Sequence, residues 1–451
     1  MRSTSPRDPD GELAAFAADI DFDDLPTELV RSAERAFVDT VGVTVAGAVE
    51  GAGAVAIETT RAGGEGGPAS FVGVPGSASV PDAAFANGTA GHALDFDDVT
   101  RGVWHPSVPV VAPVLALAEA EDLPGERAVT AYVAGYETQC YLADALLPEH
   151  YERGWHATAT FGTIGAAVAC AVLLDLDETA TRRAINAAAS MPAGLKKNFG
   201  TMTKPMHAGH AARSGLTAAM LAARGHTAAD GALGTDRGVL DLYAGDDLHP
   251  EEMARLGEEW ALASDGIQVK KYPCCYFTHP GVYATQRLVA DNDLAPADVE
   301  SVRVLASRGA ADALHYDDPD SGLEAKFSMP YTVASAVVRD RVGLEAFDDE
   351  NVGDPEVQAV RERVAFEVDP DLAYEPYHTT VVVETTAGER HERVQEVPPG
   401  TPADPLTDEE LAAKFRMCVE RADVDVDPDV AYRRLDALGE QDSVAHVTDA
   451  L

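Results

Sequence analysis

Histidines and aspartates gather in the stretch Gly91–Val110, which reads GHALDFDDVTRGVWHPSVPV. Histidine is the side chain best suited to moving protons near neutral pH. His105 is therefore a candidate acid or base, and Asp95, flanked by apolar residues, is a candidate partner. The D-x-D-D spacing could also bind a divalent cation, or Asp97 and Asp98 could be solvated turn or capping residues. The spacing alone leaves these alternatives open.

Lysines are scarce and clustered, and six of the seven fall in LKKNFGTMTKPMHAGH, IQVKKYPCCYFTH and EAKFSMPY. A surface role would scatter them, so the clustering predicts a site that needs compact positive charge. Lys204 directly precedes Pro205, which is typical of the first position of a helix. Its ammonium would then lie beside free backbone N–H groups that suit a carboxylate or phosphate. His207 and His210 follow one turn apart, where packing is favoured over metal binding because no glutamate follows His207.

Two further segments carry reactive side chains. Lys270 and Lys271 end a predicted strand in IQVKKYPCCYFTHP, and His279 follows on a loop before a helix. Cys274 and Cys275 are weak nucleophile candidates, since only nearby lysines would activate a thiol there. The segment KFSMPY adds Lys326, Ser328 and Tyr331.

Composition excludes several classes of partner. The chain has 451 residues and a formal net charge of -42, which repels nucleic acid and anionic membranes. Carboxylates are spread along the whole chain, which suggests the hypothesis of a high-salt cytoplasm. The five cysteines follow no zinc or disulfide spacing, the N-terminus is too polar for a secretory signal, and the apolar runs are too short for a membrane span. We predict a soluble, cytoplasmic protein.

Nucleotide-cofactor motifs are also missing from the sequence. It has no P-loop, no G-x-G-x-x-G after a strand and no G-x-S-x-G elbow. A positive site within an acidic chain indicates a small polyanionic substrate, such as a di- or tricarboxylic acid. The sequence therefore shows no motif for a nucleotide cofactor.

The pattern of apolar residues predicts a mainly α protein with a smaller α/β part. Residues 1–265 and about 401–451 read as a large helical domain rich in alanine and glycine. Residues 266–400 read as an α/β lid, with strands at IQVKKYP and VESVRVLAS and a hairpin turn at TAGE. Thr27 and Thr407 are candidate N-caps. A ligand site between the two domains is the default expectation.

Several long motifs resemble the MmgE/PrpD family, in the same order along the chain. They are NGTAGHALDFDD, HPSVPVVAPVLALAE, FGTIGAA, FGTMTKPMHAGHAARSGLTAAMLAARG and the K-x-Y-P…H segment. The family includes 2-methylcitrate dehydratases, cis-aconitate decarboxylases and iminodisuccinate epimerases. The resemblance implies an all-helical domain with an α/β lid, a homodimer, and activity without a metal or organic cofactor.

The resemblance also implies site residues, carried over from the pocket of the decarboxylase branch. They are Asp95, His105, Lys204, His279 and Tyr331. One position departs from that pattern: a pocket threonine is replaced by Val99, although Thr100 is adjacent. This departure argues against a direct transfer of decarboxylase activity.

The chemistry that these members share is the handling of a proton next to a carboxylate. Removing such a proton builds negative charge that nearby cations stabilise. We therefore hypothesise that Lys204 and Lys271 bind substrate carboxylates while His105 and His279 act as base and acid. Asp95 would orient His105, and Tyr331 would bind substrate or relay a proton.

The favoured activity is a lyase of the 2-methylcitrate dehydratase type. The alternatives are a cis-aconitate decarboxylase and an epimerase or racemase of an imino- or amino-dicarboxylate. A non-catalytic carboxylate-binding homologue is a further alternative from another class. It is disfavoured because all five carried-over positions hold ionisable side chains of the expected type.

Overall fold

The computed structural model describes residues 8–64, 66–101, 104–234, 236–244, 248, 256–257, 259–374 and 378–451. The first part of the chain is a helical body. Its elements are α1 (Pro9–Asp19), α2 (Thr27–Ala48), α3 (Gly51–Gly63), β1 (Ala69–Ser70), β2 (Ser77–Ala78), α4 (Val80–His92), α5 (Val108–Ala120), α6 (Gly125–Leu146), α7 (Glu149–Glu152), α8 (Ala157–Leu173), α9 (Glu178–Ala188), α10 (Thr203–Ala222), α11 (Val239–Ala244) and α12 (Ala261–Ser264).

The second part is the smaller lid, and the chain then returns to the body. The lid contains α13 (His279–Asn292), β3 (Val299–Ala306), α14 (Arg308–Ala313), α15 (Gly322–Ala325), α16 (Met329–Val338), α17 (Asp349–Val352), α18 (Pro355–Arg361), β4 (Val364–Val368), β5 (Thr379–Thr385) and β6 (Arg390–Gln395). The return consists of α19 (Asp408–Ala422), α20 (Pro428–Asp436) and α21 (Ala445–Thr448), and α19 packs on α2. A mainly α protein with a smaller α/β part is thereby confirmed.

Small residues set the close packing of the body. Every residue of α8 is buried, and α8 and α4 both pack against α10. A Cβ on Gly209 of α10 would lie 2.3 Å from the carbonyl oxygen of Phe85 on α4, and one on Gly215 would lie 2.5 Å from that of Thr163 on α8. Because larger side chains would push these helices apart, the Ala- and Gly-rich sequence brings the ends of α4, α8 and α10 together.

The lid sheet has the strand order β4-β3-β5-β6. β3 pairs parallel with β4 and antiparallel with β5, and β5 pairs antiparallel with β6. Val381 and Val383 are fully buried on one face of β5, and α13 packs against β5 and β6. The predicted hairpin at TAGE is confirmed, because β5 ends and β6 begins on either side of those four residues.

Some local predictions are wrong. The segment IQVKKYP forms no strand: Gln268 makes an isolated bridge with Val99, and the Val269 N–H donates to the Gly400 carbonyl oxygen. Its partners lie on separate segments, so no ladder can extend. Thr407 is the expected N-cap, whereas Thr27 is the first residue of α2 rather than its cap.

The long apolar helices are packed inside the protein. Among the described residues, no single helix combines the length and the apolar composition needed to cross a bilayer. The pair α2 and α3, bent by 75°, meets that test together by length and composition only.

Candidate active site

A small cavity lies where the helical body meets the lid. Its free volume is about 20 Å³, which is room for about one water molecule. Both parts of the chain line it: Asp95, Val99, His105, Tyr151, His156, Phe199 and Lys204 from the body, and Lys270, Cys275, Tyr276, Phe277 and Phe327 from the lid side. A di- or tricarboxylic acid is larger than this space, so its admission requires the two walls to separate.

The turn that carries Asp95 is held by three buried lysines. Asp95 has a left-handed backbone, with φ of +52°, a conformation that aspartate tolerates better than most residues. Ammonium groups donate to three successive carbonyl oxygens: Lys326 to Leu94 at 2.7 Å, Lys270 to Asp95 at 2.8 Å and Lys414 to Phe96 at 2.8 Å. These lysines come from α15's C-terminus, the segment entering the lid, and α19. Distant parts of the chain therefore fix one turn of the site.

The Asp95 carboxylate is paired with two of the cations. Lys204 Nζ donates to Asp95 Oδ1 at 2.5 Å, and Lys270 Nζ lies 3.2 Å from the same oxygen. Burial would raise the pKa of Asp95, but Lys204 and Lys270 outweigh it and hold that pKa well below its usual range. Lys204 lies in the first turn of α10, which begins at Thr203, two residues before the predicted start. The positive end of α10 adds to the attraction for anions.

His105 lies between two carboxylates. Its Nε2 is 3.4 Å from Asp95 Oδ1, and its Nδ1 is 3.1 Å from Asp97 Oδ2. Burial lowers the pKa of His105, although Asp97 opposes the shift, so the ring is neutral at pH 7. A proton on Nδ1 facing Asp97 leaves the Nε2 lone pair on the side of Asp95 and the cavity. Asp97 therefore also orients the His105 ring, a role that was expected of Asp95 alone.

Asp97 and Asp98 are fully buried, so the alternative of solvated turn residues is wrong for both. Asp97 also binds the Nδ1 of His92 at 2.9 Å. Burial would raise the pKa of Asp97, but His105 and His92 outweigh it and lower that pKa. Asp98 accepts a hydrogen bond from Ser107 at 2.5 Å, and burial raises its pKa well above the usual range.

His156 is a cavity residue that the sequence did not reveal. It precedes α8 directly, and its Nδ1 lies 3.0 Å from the Nδ1 of His207 on α10. Burial lowers the pKa of His156 well below its usual range and lowers that of His207 to about 4. Both rings are therefore neutral at pH 7. In the sequence HATATF, the one signal is a histidine immediately before an apolar helix, which gives no reason to expect a reactive group.

Four of these side chains lie close enough to share a cation. The nearest ligand atoms of His92, Asp95, Asp97 and His105 are within 4.8 Å of one another. Lys204 and Lys270 already bind the Asp95 carboxylate, however, and two imidazoles share Asp97. An ammonium in hydrogen-bond contact with a carboxylate repels a second cation there. The donor set thus fits an ion-pair network better than a metal site.

Comparison with known families identifies two domains along the chain. Residues 11–251 match the MmgE/PrpD N-terminal domain, and residues 272–428 match the MmgE/PrpD C-terminal domain. The chain belongs to the MmgE/PrpD family. The expected family membership is thereby confirmed.

Curated relatives align over most of the chain. The human cis-aconitate decarboxylase is 28% identical over 355 residues, which are 74% of this chain and 71% of the relative. The mouse enzyme is 29% identical over 356 residues, 74% of this chain and 70% of the relative. The cis-aconitate decarboxylase of Aspergillus terreus is 25% identical over 378 residues, 78% of this chain and 77% of the relative. These matches support a lyase of the MmgE/PrpD type.

The residues carried over from the family pattern do not all line the cavity. Asp95, His105 and Lys204 meet there, as expected from the resemblance. His279 lies next to the cavity: it is fully buried, its ring contacts that of Tyr276, and its Nε2 is 3.3 Å from the Cys274 carbonyl oxygen. Burial and Lys270 lower the pKa of His279 well below its usual range. A neutral His279 can act on substrate only after a local rearrangement.

Lys271 and Tyr331 lie away from the cavity, contrary to the positions expected for substrate contacts. The Lys271 ammonium is exposed and lies 3.7 Å from Glu410, while its neighbour Lys270 lines the cavity. The chain bends at Lys271, so the two neighbouring side chains face different surroundings. The Tyr331 hydroxyl donates to the Ala346 carbonyl oxygen inside the lid.

Two other cavity residues limit the reactions that the site can support. Burial raises the pKa of Cys275 to about 11, so its thiol stays protonated and is a poor nucleophile. Val99 lines the cavity, whereas the Thr100 hydroxyl lies 2.9 Å from both the Tyr136 hydroxyl and the Gly266 carbonyl oxygen. Thr100 therefore does not replace the hydroxyl that the family pattern places at position 99.

Proposed function

We propose that this chain is a cofactor-independent lyase that decarboxylates a small unsaturated tricarboxylic acid such as cis-aconitate. The main support is the cavity itself, in which two ammonium groups and two neutral imidazoles meet around one ionised carboxylate. Lys204 and Lys270 supply fixed positive charge, and His105 and His156 supply sites for protons. The curated relatives that align over most of the chain carry this activity by name.

The reaction needs charge stabilisation and one proton. The bond to the departing carboxylate breaks, and its electron pair forms a new double bond. The electrons of the former double bond move toward the neighbouring carboxylate, whose growing negative charge Lys204 and Lys270 would stabilise. A proton from an imidazole N–H then adds to the adjacent carbon. A trianion and one proton thus become a dianion and carbon dioxide.

Dehydration of 2-methylcitrate is the second candidate. Val99 favours it, because this position lacks the threonine of the decarboxylase pattern and the Thr100 hydroxyl is bound elsewhere. The same cations could stabilise charge on a substrate carboxylate, while one imidazole removes the proton beside it and another protonates the leaving hydroxyl group. Activity of an epimerase type would use the proton transfer without loss of a group.

The test is direct incubation in high salt with cis-aconitate, 2-methylcitrate, citrate and an amino-dicarboxylate. Carbon dioxide release identifies decarboxylation, and absorbance of a new double bond identifies dehydration. We expect carbon dioxide from cis-aconitate, and a faster release from Val99→Thr. Tight binding of these acids with no turnover of any of them would overturn the proposal in favour of a binding protein.

A matched pair of lysine variants tests the assignment of the site. Lys204→Ala should reduce turnover at least 100-fold, because an ammonium next to developing charge contributes on that order. Lys271→Ala should change turnover less than about 2-fold, since its ammonium lies outside the cavity and contacts Glu410. The reverse pattern would contradict the site described here.

A further inference from the structure

A hydrogen bond joins the cavity residue His156 to His207 on α10. The ring of His156 lines the cavity. His207 retains 5% of its surface accessible, and the preceding residue, Met206, is 39% exposed. Since both Nδ1 atoms are used in the contact between the rings, each ring has its Nε2 left for another partner. The His156 Nε2 is thus left for a substrate, and the His207 Nε2 belongs to a side chain that keeps 5% of its surface accessible.

A closed cavity requires a path by which protons reach it from solvent. Decarboxylation consumes one proton in each turnover, whereas the free volume of about 20 Å³ excludes bulk water. His105 is held between Asp95 and Asp97, so its ring faces carboxylates on both sides. His156 is the other imidazole in the wall, and its Nδ1 partner is itself an imidazole. An imidazole can accept a proton on one nitrogen and release one from the other.

We propose that His207 relays a proton from solvent to His156 while the cavity is closed, an inference that rests on the proposed lyase function. His156 Nε2–H gives its proton to the substrate carbon. The His207 Nδ1–H proton moves to His156 Nδ1, and a solvent proton binds His207 Nε2. Each ring stays neutral, one proton enters, and one carbon–hydrogen bond forms. Opening of the cavity to water returns both rings to their starting tautomers.

The surroundings of His156 and His207 keep both rings neutral, so the pair can pass a proton on but does not hold an extra one. Burial lowers the pKa of both rings, and the positive charge of Lys204 lowers them further. A second proton therefore does not remain on the pair at neutral pH, which leaves a single N–H between the two Nδ1 atoms. That hydrogen bond also sets the tautomer of His156, so His207 acts through His156 and does not touch the substrate.

His207→Asn separates the relay from simple positioning. The asparagine amide can donate a hydrogen bond from nearly the place of Nδ1 but cannot transfer a proton onward. We expect kcat for carbon dioxide release to fall by 10- to 100-fold with an unchanged KM, and added imidazole to restore part of it. His210→Asn, one turn further along α10, is the control and should stay within about 2-fold of the original chain. Wild-type kcat in His207→Asn, or a loss that imidazole does not relieve, would overturn the relay.

If none of the candidate substrates is turned over, a second measurement still tests the relay. Nitrogen-15 NMR of histidine-labelled protein reports which ring nitrogen carries the proton, independently of activity. We expect one protonated and one unprotonated Nδ1 in the pair, and loss of this signature in His207→Ala but not in His210→Asn. Two doubly protonated rings, or two rings that both carry the proton on Nε2, would refute the relay whatever the reaction is. Correct tautomers without lyase turnover would refute the proposed function instead.

Discussion

Removing the charge of Asp95 should destabilise the protein strongly, because two buried ammonium groups depend on it. Asp95 and Lys204 each keep only 5% of their side-chain surface exposed, and Lys270 keeps none. Breaking a buried ion pair by changing one partner costs about 3–5 kcal/mol, since the other charge is left without compensation. Asp95→Asn preserves the shape of the side chain, so we expect a loss of this size in the free energy of unfolding. Lys204→Met should cost less, about 2–3 kcal/mol, because Lys270 still pairs with Asp95.

The measurement is a double-mutant cycle by denaturant unfolding, followed by tryptophan fluorescence. The double variant should lose about 2 kcal/mol less than the sum of the single losses, because Lys204 and Asp95 no longer leave each other unpaired. The exposed pair Arg287 and Asp291, at 2.7 Å on one helix face and 46% exposed at each end, is the matched control. Its coupling should be about 0.3–0.5 kcal/mol. If the loss in the double variant equals the sum of the two single losses to within about 0.5 kcal/mol, the buried network is refuted.

The same variant has a defined pH dependence. The folded pKa of Asp95 lies well below the value of about 3.9 for an unfolded chain. Its stabilising effect is therefore fully present above the unfolded pKa and is lost as the pH falls through the folded pKa. The stability difference between the original chain and Asp95→Asn should stay constant from pH 7 to about pH 5 and shrink in stronger acid. A difference that already shrinks near pH 6 would contradict the assignment.

Three further perturbations test other parts of the site. Burial lowers the pKa of Lys326 to about 8, so this side chain binds its proton more tightly in the unfolded chain between pH 8 and about 10.5. The stability of the original chain relative to Lys326→Met, measured by denaturant unfolding, should therefore rise by about 3 kcal/mol across that window. Burial lowers the pKa of His105, so turnover that needs its neutral form should persist on acidification below pH 6.5, and His105→Ala should abolish turnover while circular dichroism stays unchanged. With a net charge of -42, thermal unfolding should move to higher temperature as salt rises from 0.1 to about 1 M, because self-repulsion is screened; full stability in low salt would contradict the high-salt hypothesis.

The sequence predicts the framework of this protein better than the details of its site. Periodic apolar residues and glycines indicated the helical body, and the alternating valines of β5 with the TAGE turn indicated the hairpin. These features depend on neighbours within a few residues. The segment IQVKKYP has the composition of a strand, yet its backbone partners are single residues on distant segments. Local composition could not reveal that difference.

The lysines show more clearly what local composition can and cannot predict. Their clustering correctly indicated a concentration of positive charge, but the ion pair between Lys204 and Asp95 was not predicted. The sequence offers no basis for choosing between Lys270 and Lys271, because the tertiary partners of each side chain decide which one faces the cavity. Lys414 was not suspected at all, although it donates to the Phe96 carbonyl oxygen. Its partner lies more than 300 positions away in the chain.

The lysine contacts also tie the geometry of the site to the contact between the lid side and the body. Lys326 and Lys270 come from the lid side, and they donate to the carbonyl oxygens of Leu94 and Asp95 in the body. Under the proposed function, separation of the two walls to admit a substrate would break these hydrogen bonds. Closure would re-form them, and with them the left-handed turn that carries Asp95. Enclosure of the substrate and assembly of the charged site would then be one event, and a cavity too small for the substrate in its closed form would be consistent with the proposed reaction.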